Sequence, residues 1–561
     1  MSPVLRLLPA ITILAMLGPV AAGLWGTILP AFGHLPAVGL DGPSRVALDG
    51  LLDWPGLAAA VRLPVTTGLA ATSISLVIVT LIVAGWSGTR VFAWFLRLLS
   101  PLLSVPHAAA AFGLAFLVAP SGLVARAASP WLTGWERPPD ILVVGDPWGL
   151  TMVAGLVAKE VPFLLLMTLA ALGQSAERQS LRVAGALGYG RVTGWLKAVF
   201  PRVYAQIRLP VYVVLAYSMS VVDVALILGP STPPTLSVQI VAWMSDPDLA
   251  MRAVAAAGAL LQLALVVAAL GLWRLGEAAV ARWGTAWAGG GGRRHLDEPV
   301  RLVGLGAASV SALSIMAGLA VLALWSVAAI WQFPDLLPDG LSARSWSRQA
   351  GALAATTGET VLIALAAAGI ALALSVGCLE AEHRRGRPIS TAALWLLYLP
   401  LLVPQTAFLP GLQTLLLTLG ADIGRGPVIV AHLVFVLPYV FLSLGDPWRA
   451  WDPRQATVAA LLGASPLRVL VAVRLPMLLR PLLTAFAVGL AVSVGQYLPS
   501  LLIGGGRVAT LTTEAVALAS GGDRRTIGVF AIAQTLAALL PFAAAIGLPA
   551  LLWRNRRGLH G

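Results

Sequence analysis

Three ionisable side chains stand inside stretches that are otherwise apolar. Lys159 and Glu160 lie in "VAGLVAKEVPFLLL" and Asp223 in "LAYSMSVVDVALIL". Carboxylates in such surroundings either face a cation or neutralise a cationic side chain, because an uncompensated buried charge is costly. Other chemistries have no residues to carry them. A phosphate-binding loop needs Gly-Lys-Ser/Thr, and the only two lysines follow Ala158 and Leu196. The sequence holds no HExxH and no GxSxG. The single Cys378 excludes an intrachain disulfide and a cysteine metal cluster. The six histidines are scattered, which suits structural or interfacial roles.

The elements that hold these charges are read from composition. Of 561 residues 58% are hydrophobic and 11% charged, against about 25% charged in soluble domains. Such a chain cannot coat a soluble surface and reads as an all-α polytopic membrane protein. Its net charge of +13, carried by 35 Arg and two Lys, reads as a topology determinant and not as a nucleic-acid footprint. Twelve apolar runs are predicted to span, at about 7–30, 64–86, 94–119, 148–172, 207–229, 251–273, 302–331, 357–379, 391–419, 427–445, 481–503 and 526–553. The first run also has the Arg6, apolar core and small residues of a signal peptide, but it continues to Leu29. With both termini cytoplasmic, 25 Arg and Lys fall in cytoplasmic segments and 11 outside, with Lys159 in a span. Arg90, Arg97, Arg384, Arg385, Arg387, Arg554, Arg556 and Arg557 are in the inner set, and the reverse orientation would invert the bias. Trp86, Trp131, Trp148, Trp325 and Trp553 fall near span ends, as aromatic belts do.

The chain contains two copies of one plan. A shift of 275 aligns 183–236 with 458–511 without a gap, so Gly188 meets Gly463, Pro201 meets Pro476 and Gly229 meets Gly504. Upstream, "VPHAAAAFGLAFLV" resembles "VPQTAFLPGLQTLL" and sets Pro106 beside Pro404. Each copy has six candidate spans, so the copies run parallel. The halves are 1–286 and 301–561, joined by a flexible cytoplasmic linker at 287–300, "WAGGGGRRHLDEPV". In the second copy Phe435 and Val436 replace Lys159 and Glu160, and Leu498 replaces Asp223, with Gln496 the nearest polar residue. Two readings stay open: Lys159, Glu160, Asp223 and Gln496 line a translocation path, or Lys159 and Asp223 pair across two helices. Pro106, Pro162, Pro404 and Pro438, in matched pairs, are expected to kink helices around a cavity.

Between the fourth and fifth spans of each copy lies a regular but half-polar segment: "RVAGALGYGRVTGWLKAVFP" at 182–201 and "TVAALLGASPLRVLVAVRLP" at 457–476. Each reads as a small-residue helix, a Gly turn and an amphipathic helix closed by Pro. These segments resemble the EAA loop of binding-protein-dependent ABC importer permeases. That pattern is Glu-Ala-Ala, three residues, Gly, then about a dozen residues to Pro. Gly188 and Gly463 match its Gly, Pro201 and Pro476 its Pro, and Ala184 and Ala459 its last Ala, whereas Arg182 and Thr457 replace its Glu.

The resemblance implies a fused pair of permease domains, similar to ferric-iron and thiamine permeases, with the type I (MetI-like) importer fold. It implies that each loop seats a coupling helix in one of two cytoplasmic ATPase subunits, that a periplasmic solute-binding protein docks opposite, and that the chain sits in the bacterial inner membrane. On that reading the chain binds no cofactor and no nucleic acid, is no enzyme, and ATP is held by the partner subunits. The solute would be iron, thiamine or another small molecule. A secondary transporter with two six-span halves is the alternative, but its basic loop would lie mainly between halves. A membrane-embedded enzyme would need a reactive constellation that the sequence lacks.

Overall fold

The computed structural model describes residues 3–173, 176–293, 297–386, 390–421, 423–521 and 523–552. Arg387, Trp553, Arg554, Arg556, Arg557 and positions 294–296 of the joint lie outside the described residues. In the first copy the helices that build and brace the site are α1 (Pro3–Ala31), α2 (Leu57–Trp86), α3 (His107–Val118), α4 (Leu150–Gly173), α5 (Glu177–Ala186), α6 (Arg191–Ala198), α7 (Phe200–Ser220), α8 (Asp223–Leu228) and α9 (Met251–Gly289). In the second they are α10 (Asp297–Val327), α11 (Arg344–Arg385), α12 (Thr391–Leu402), α13 (Gln405–Thr418), α14 (Arg425–Arg449), α15 (Arg454–Leu461), α16 (Pro466–Val469), α17 (Leu479–Val494), α18 (Leu498–Gly504) and α19 (Arg524–Leu552).

Helix dominates because an apolar environment leaves no water for the backbone, so each N–H and C=O must be satisfied within its own segment. The hydroxyls follow the same rule. Thr67, Thr72, Thr168, Thr360 and Thr535 each donate to the carbonyl four residues back, at 2.7 Å.

Among the described residues nine helices are long and apolar enough to cross a membrane, and eleven if two bent pairs each count as one span. The twelve predicted runs differ at four places, one of which is run 94–119, broken between Leu99 and His107 by a 3-10 turn at Ser100–Ser104 and extended Val105. Runs 391–419 and 481–503 are not single straight spans: α12 meets α13 at 83°, and the helices on either side of Leu478 meet at 77°. Run 207–229 is broken at Val221, and its first part, α7, carries Gln206, Arg208 and three tyrosines. Pro106 and Pro404 do not kink continuous helices. They cap the starts of α3 and α13, after extended Val105 and Val403, because the residue before proline is pushed out of the helical region. Pro162 and Pro438 do lie inside helices, α4 and α14.

The first helix of each copy crosses to the other copy. α1 packs on α11, α13 and α14, and on the last long helix of its own copy, α9. α10 packs on α2, α3 and α4, and on its own last helix, α19. Glycines allow both crossings. A Cβ on Gly113 (α3) would lie 2.8 Å from the Gly318 carbonyl carbon (α10), and one on Gly318 would lie 2.7 Å from that of Gly113. At the matching crossing Gly26 (α1) meets the Gly411 backbone (α13), and Thr27 Oγ1 donates to Ala407 O at 2.8 Å. Small residues let backbones approach where dispersion must replace the hydrophobic effect. The second crossing is also locked beyond its end. The buried Arg126 guanidinium donates to Gln332 O at 2.5 Å and Asp335 O at 2.8 Å, and lies 5.0 Å from the Trp331 ring centre. Trp325, read from sequence as a belt residue, is buried beneath this cluster.

Candidate functional site: two turn loops and a charged seam

Both half-polar segments fold as helix, turn, helix. In the first, α5 and α6 flank Gly188, whose φ is +81°. In the second, α15 and α16 flank Gly463, whose φ is +83°. The left-handed region is open to glycine and strained for other residues, which accounts for the shared spacing. Pro201 stands in the first turn of the following helix, where a missing N–H costs nothing, whereas Pro476 lies near the end of the continuous helical stretch 466–477, just after its π-helical turn Leu470–Arg474. Ala184 is buried because α6 presses on it: a Cβ on Gly194 would lie 3.0 Å from the Ala184 Cβ. Arg182 and Thr457, in place of the pattern's Glu, are exposed, and Ala459 is half-buried. Matching apolar residues face outward in both loops, Val183 with Leu187 and Val458 with Leu462.

The first loop is fastened from outside. Asp297, the first residue of α10, accepts from Val192 N at 2.9 Å, Thr193 N at 3.2 Å and Thr193 Oγ1 at 3.1 Å. It thereby places a carboxylate on the N-terminus of α6. Gly190 N donates to Arg293 O at 2.9 Å and Lys197 Nζ to Gly292 O at 3.0 Å. The Lys197 ammonium also lies 4.6 Å from the Trp287 ring centre. The segment expected to be a flexible linker is thus partly helix and, at 290–293 and Asp297, bonded to the first loop. From its own copy, Glu177 accepts from Ser87 Oγ at 2.7 Å and from buried Trp195 Nε1 at 3.1 Å.

The second loop is fastened from within. Buried Arg474 donates to Glu380 Oε2 and to Trp448 O, both at 3.0 Å, and its guanidinium lies 4.3 Å from the Trp448 ring centre and 4.6 Å from that of Trp451. Arg384 donates to Glu380 Oε1 at 2.6 Å and to Pro466 O at 3.2 Å. No residue of α15 or α16 is buried. Sequence reasoning assigned no role to Asp297, Glu380 or Arg474. A carboxylate four residues before the first of the arginines that end α11 was the available signal for Glu380.

The charged residues meet at the seam between the copies. The Lys159–Asp223 pair is absent. The Lys159 ammonium donates to Val105 O at 2.6 Å and Leu102 O at 3.2 Å, carbonyls at the break before Pro106, where Leu102 O also accepts from Val105 N at 3.4 Å. Glu160 Oε1 lies 3.7 Å from His107 Nε2 and makes no hydrogen bond. Asp223 opens α8, is buried, and has no ion pair among the described residues. Tyr217 packs against His107 with the rings tilted by 53° and their centres 4.8 Å apart. From the second copy, Tyr439 lies within electrostatic reach of Glu160, and Tyr497 within reach of Asp223. Gln496, half-buried, stands beside Tyr497 at the break between α17 and α18. His432, one of the scattered histidines, is held at 2.8 and 2.9 Å by Ser493 and Ser500.

Residues 366–552 match the family described as "Binding-protein-dependent transport system inner membrane component". The chain is 31% identical over 523 residues to the inner membrane ABC transporter permease protein YnjC of Escherichia coli, covering 91% of this chain and 93% of that one. It is 24% identical over 110 residues to the spermidine/putrescine transport system permease protein PotC of Haemophilus influenzae, 20% of this chain and 43% of that one. With its apolar helices, its type I (MetI-like) fold and this extended similarity, the chain belongs to the multi-pass inner-membrane permeases of binding-protein-dependent ABC importers.

Proposed function

We propose that this one chain supplies both transmembrane halves of an importer, 1–286 and 301–561 joined through 287–300, and docks one ATPase subunit on each turn loop. The observation that supports this is the pairing of the loops: two helix–Gly–helix units at matched positions, with glycine φ values of +81° and +83° and matched outward apolar residues. Arg182, Ala184, Gly188 and Pro201 shape the first docking loop; Thr457, Ala459, Gly463 and Pro476 shape the second. ATP binds on the partner subunits, and this chain holds no cofactor and no catalytic residues. A solute-binding protein delivers cargo to the opposite face. ATP binding draws the two loops together, and the halves rock to switch access across the charged seam. The termini and both loops are cytoplasmic, as the bias of 25 basic residues against 11 indicates.

The test is reconstitution with a candidate ABC ATPase and a candidate solute-binding protein. Hydrolysis should require the ATPase, and cysteines at 190 and 465 in a Cys378-free background should label only from the ATPase side. Labelling from the opposite side, or ATP hydrolysis by this chain alone, would overturn the reading.

A further inference from the structure

We propose that the seam between the halves is a binding site for a small organic cation, with Glu160 and Asp223 as its anionic groups and tyrosine rings as its walls. This deepens the transport reading and rests on it. Glu160 is 4% exposed and Asp223 7%, yet Glu160 Oε1 makes no hydrogen bond. A buried carboxylate oxygen left in this state is costly unless a cation meets it at some stage of the cycle. The nearest cation does not meet that need. The Lys159 ammonium is spent on the carbonyls of Leu102 and Val105. His107, 3.7 Å from Glu160, is a counter-ion only when protonated. Counted formally, as in the chain's net charge of +13, Lys159, Glu160 and Asp223 sum to one negative charge.

The walls indicate which kind of cation fits. The chain has seven tyrosines. Tyr217, Tyr439 and Tyr497 lie within electrostatic reach of the carboxylates, and Tyr398 within reach of Tyr439. All four are half-buried. Aromatic faces beside carboxylates attract ammonium and other nitrogen-centred cations through the ring quadrupole. A metal ion fits less well: among the described residues no three His, Cys, Asp or Glu side chains are grouped closely enough to hold one. The two copies divide the work. Both carboxylates come from the first half, whereas Tyr398, Tyr439 and Tyr497 come from the second, where Val436 and Leu498 replace the acids. A site assembled from both halves would be altered when they rock apart, which suits a transient stop on a path.

The experiment measures binding to the purified permease–ATPase complex in nanodiscs, without binding protein. The probes are tetramethylammonium, choline and putrescine, with 3,3-dimethylbutan-1-ol as choline's uncharged isostere and Mg²⁺ as the metal control. At least one ammonium probe should bind, the isostere and Mg²⁺ should not, and Glu160→Gln and Asp223→Asn should each weaken binding by about tenfold or more. Tyr439→Leu, in the other half, should weaken it by several-fold and keeps the test valid where an acid variant misfolds. No binding by any ammonium probe, equal binding of the isostere, preferential binding of Mg²⁺, or unchanged affinity in Glu160→Gln would overturn the proposal. Retention of the ATPase, scored on the same samples, reports the docking reading separately. Loss of ammonium binding with the ATPase retained is a failure of the seam site alone.

Discussion

The two turn loops share a backbone and differ in what holds it. The first is clasped by residues outside its repeat: Asp297 on the start of α6, Arg293 on Gly190, Gly292 on Lys197. The second is anchored by one buried guanidinium, Arg474, in a cage of Glu380, Trp448 and Trp451, with a further bond from Arg384 to Pro466 O, and its outer face is exposed, with Leu461 and Leu462 each 83% exposed. In the first copy Val199 stands where Arg474 would be. What the repeat keeps is the Gly turn and the outward apolar pair; the fasteners are free to differ. Geometry shared in spite of different supports is what a pair of equivalent docking surfaces requires.

Arg474→Met should have the largest effect. It leaves Glu380 buried beside Arg384 alone, and breaking a buried pair by removing one partner costs about 3–5 kcal/mol. The expected outcome is a lower unfolding temperature in detergent, partly recovered by adding Glu380→Gln. An unchanged unfolding temperature would remove the contrast in anchoring. Asp297→Ala should act on the first loop alone. It removes three hydrogen bonds and a cap charge from α6, about 1–2 kcal/mol. Amide exchange over 188–198 should then rise toward that over 463–474, and no rise would mean that the clasp does not hold the loop. The smallest effect on stability belongs to Leu462→Ser, within about 0.5 kcal/mol because the side chain is exposed. It should nonetheless weaken ATPase binding, measured by titration of the ATPase onto the purified variant.

Much of this was legible in the sequence. Apolar length announces spans, and the spacing of Gly188 and Gly463 announces a left-handed turn, since few other residues tolerate one. The broken spans were less visible: run 391–419 carries no charge, and the extended residue before Pro404 marks its bend. The partners of Lys159 could not be read because they are backbone carbonyls, which any residue supplies. The exchange of α1 and α10 between copies was hidden for a similar reason. An apolar helix carries no sign of which neighbour it meets, and Gly113, Gly318, Gly26 and Gly411 gain meaning only once opposed. Asp297 looked like part of a linker because its role depends on a helix about 100 residues away, a separation that spacing rules do not reach.

The claim that the two Gly turns each seat an ATPase is tested most directly by co-purification. The cognate ATPase is recovered from membranes with wild-type permease and with Gly188→Asp, Gly463→Asp and the double variant. A side chain at φ near +80° strains the turn by about 1–3 kcal/mol, a local cost that a protein held by nine long apolar helices and two bent pairs can absorb. All variants should therefore insert at normal yield. Each single variant should lower the ATPase-to-permease ratio and abolish transport, and the double variant should retain no ATPase. Full ATPase retention with full transport in both single variants would contradict the account.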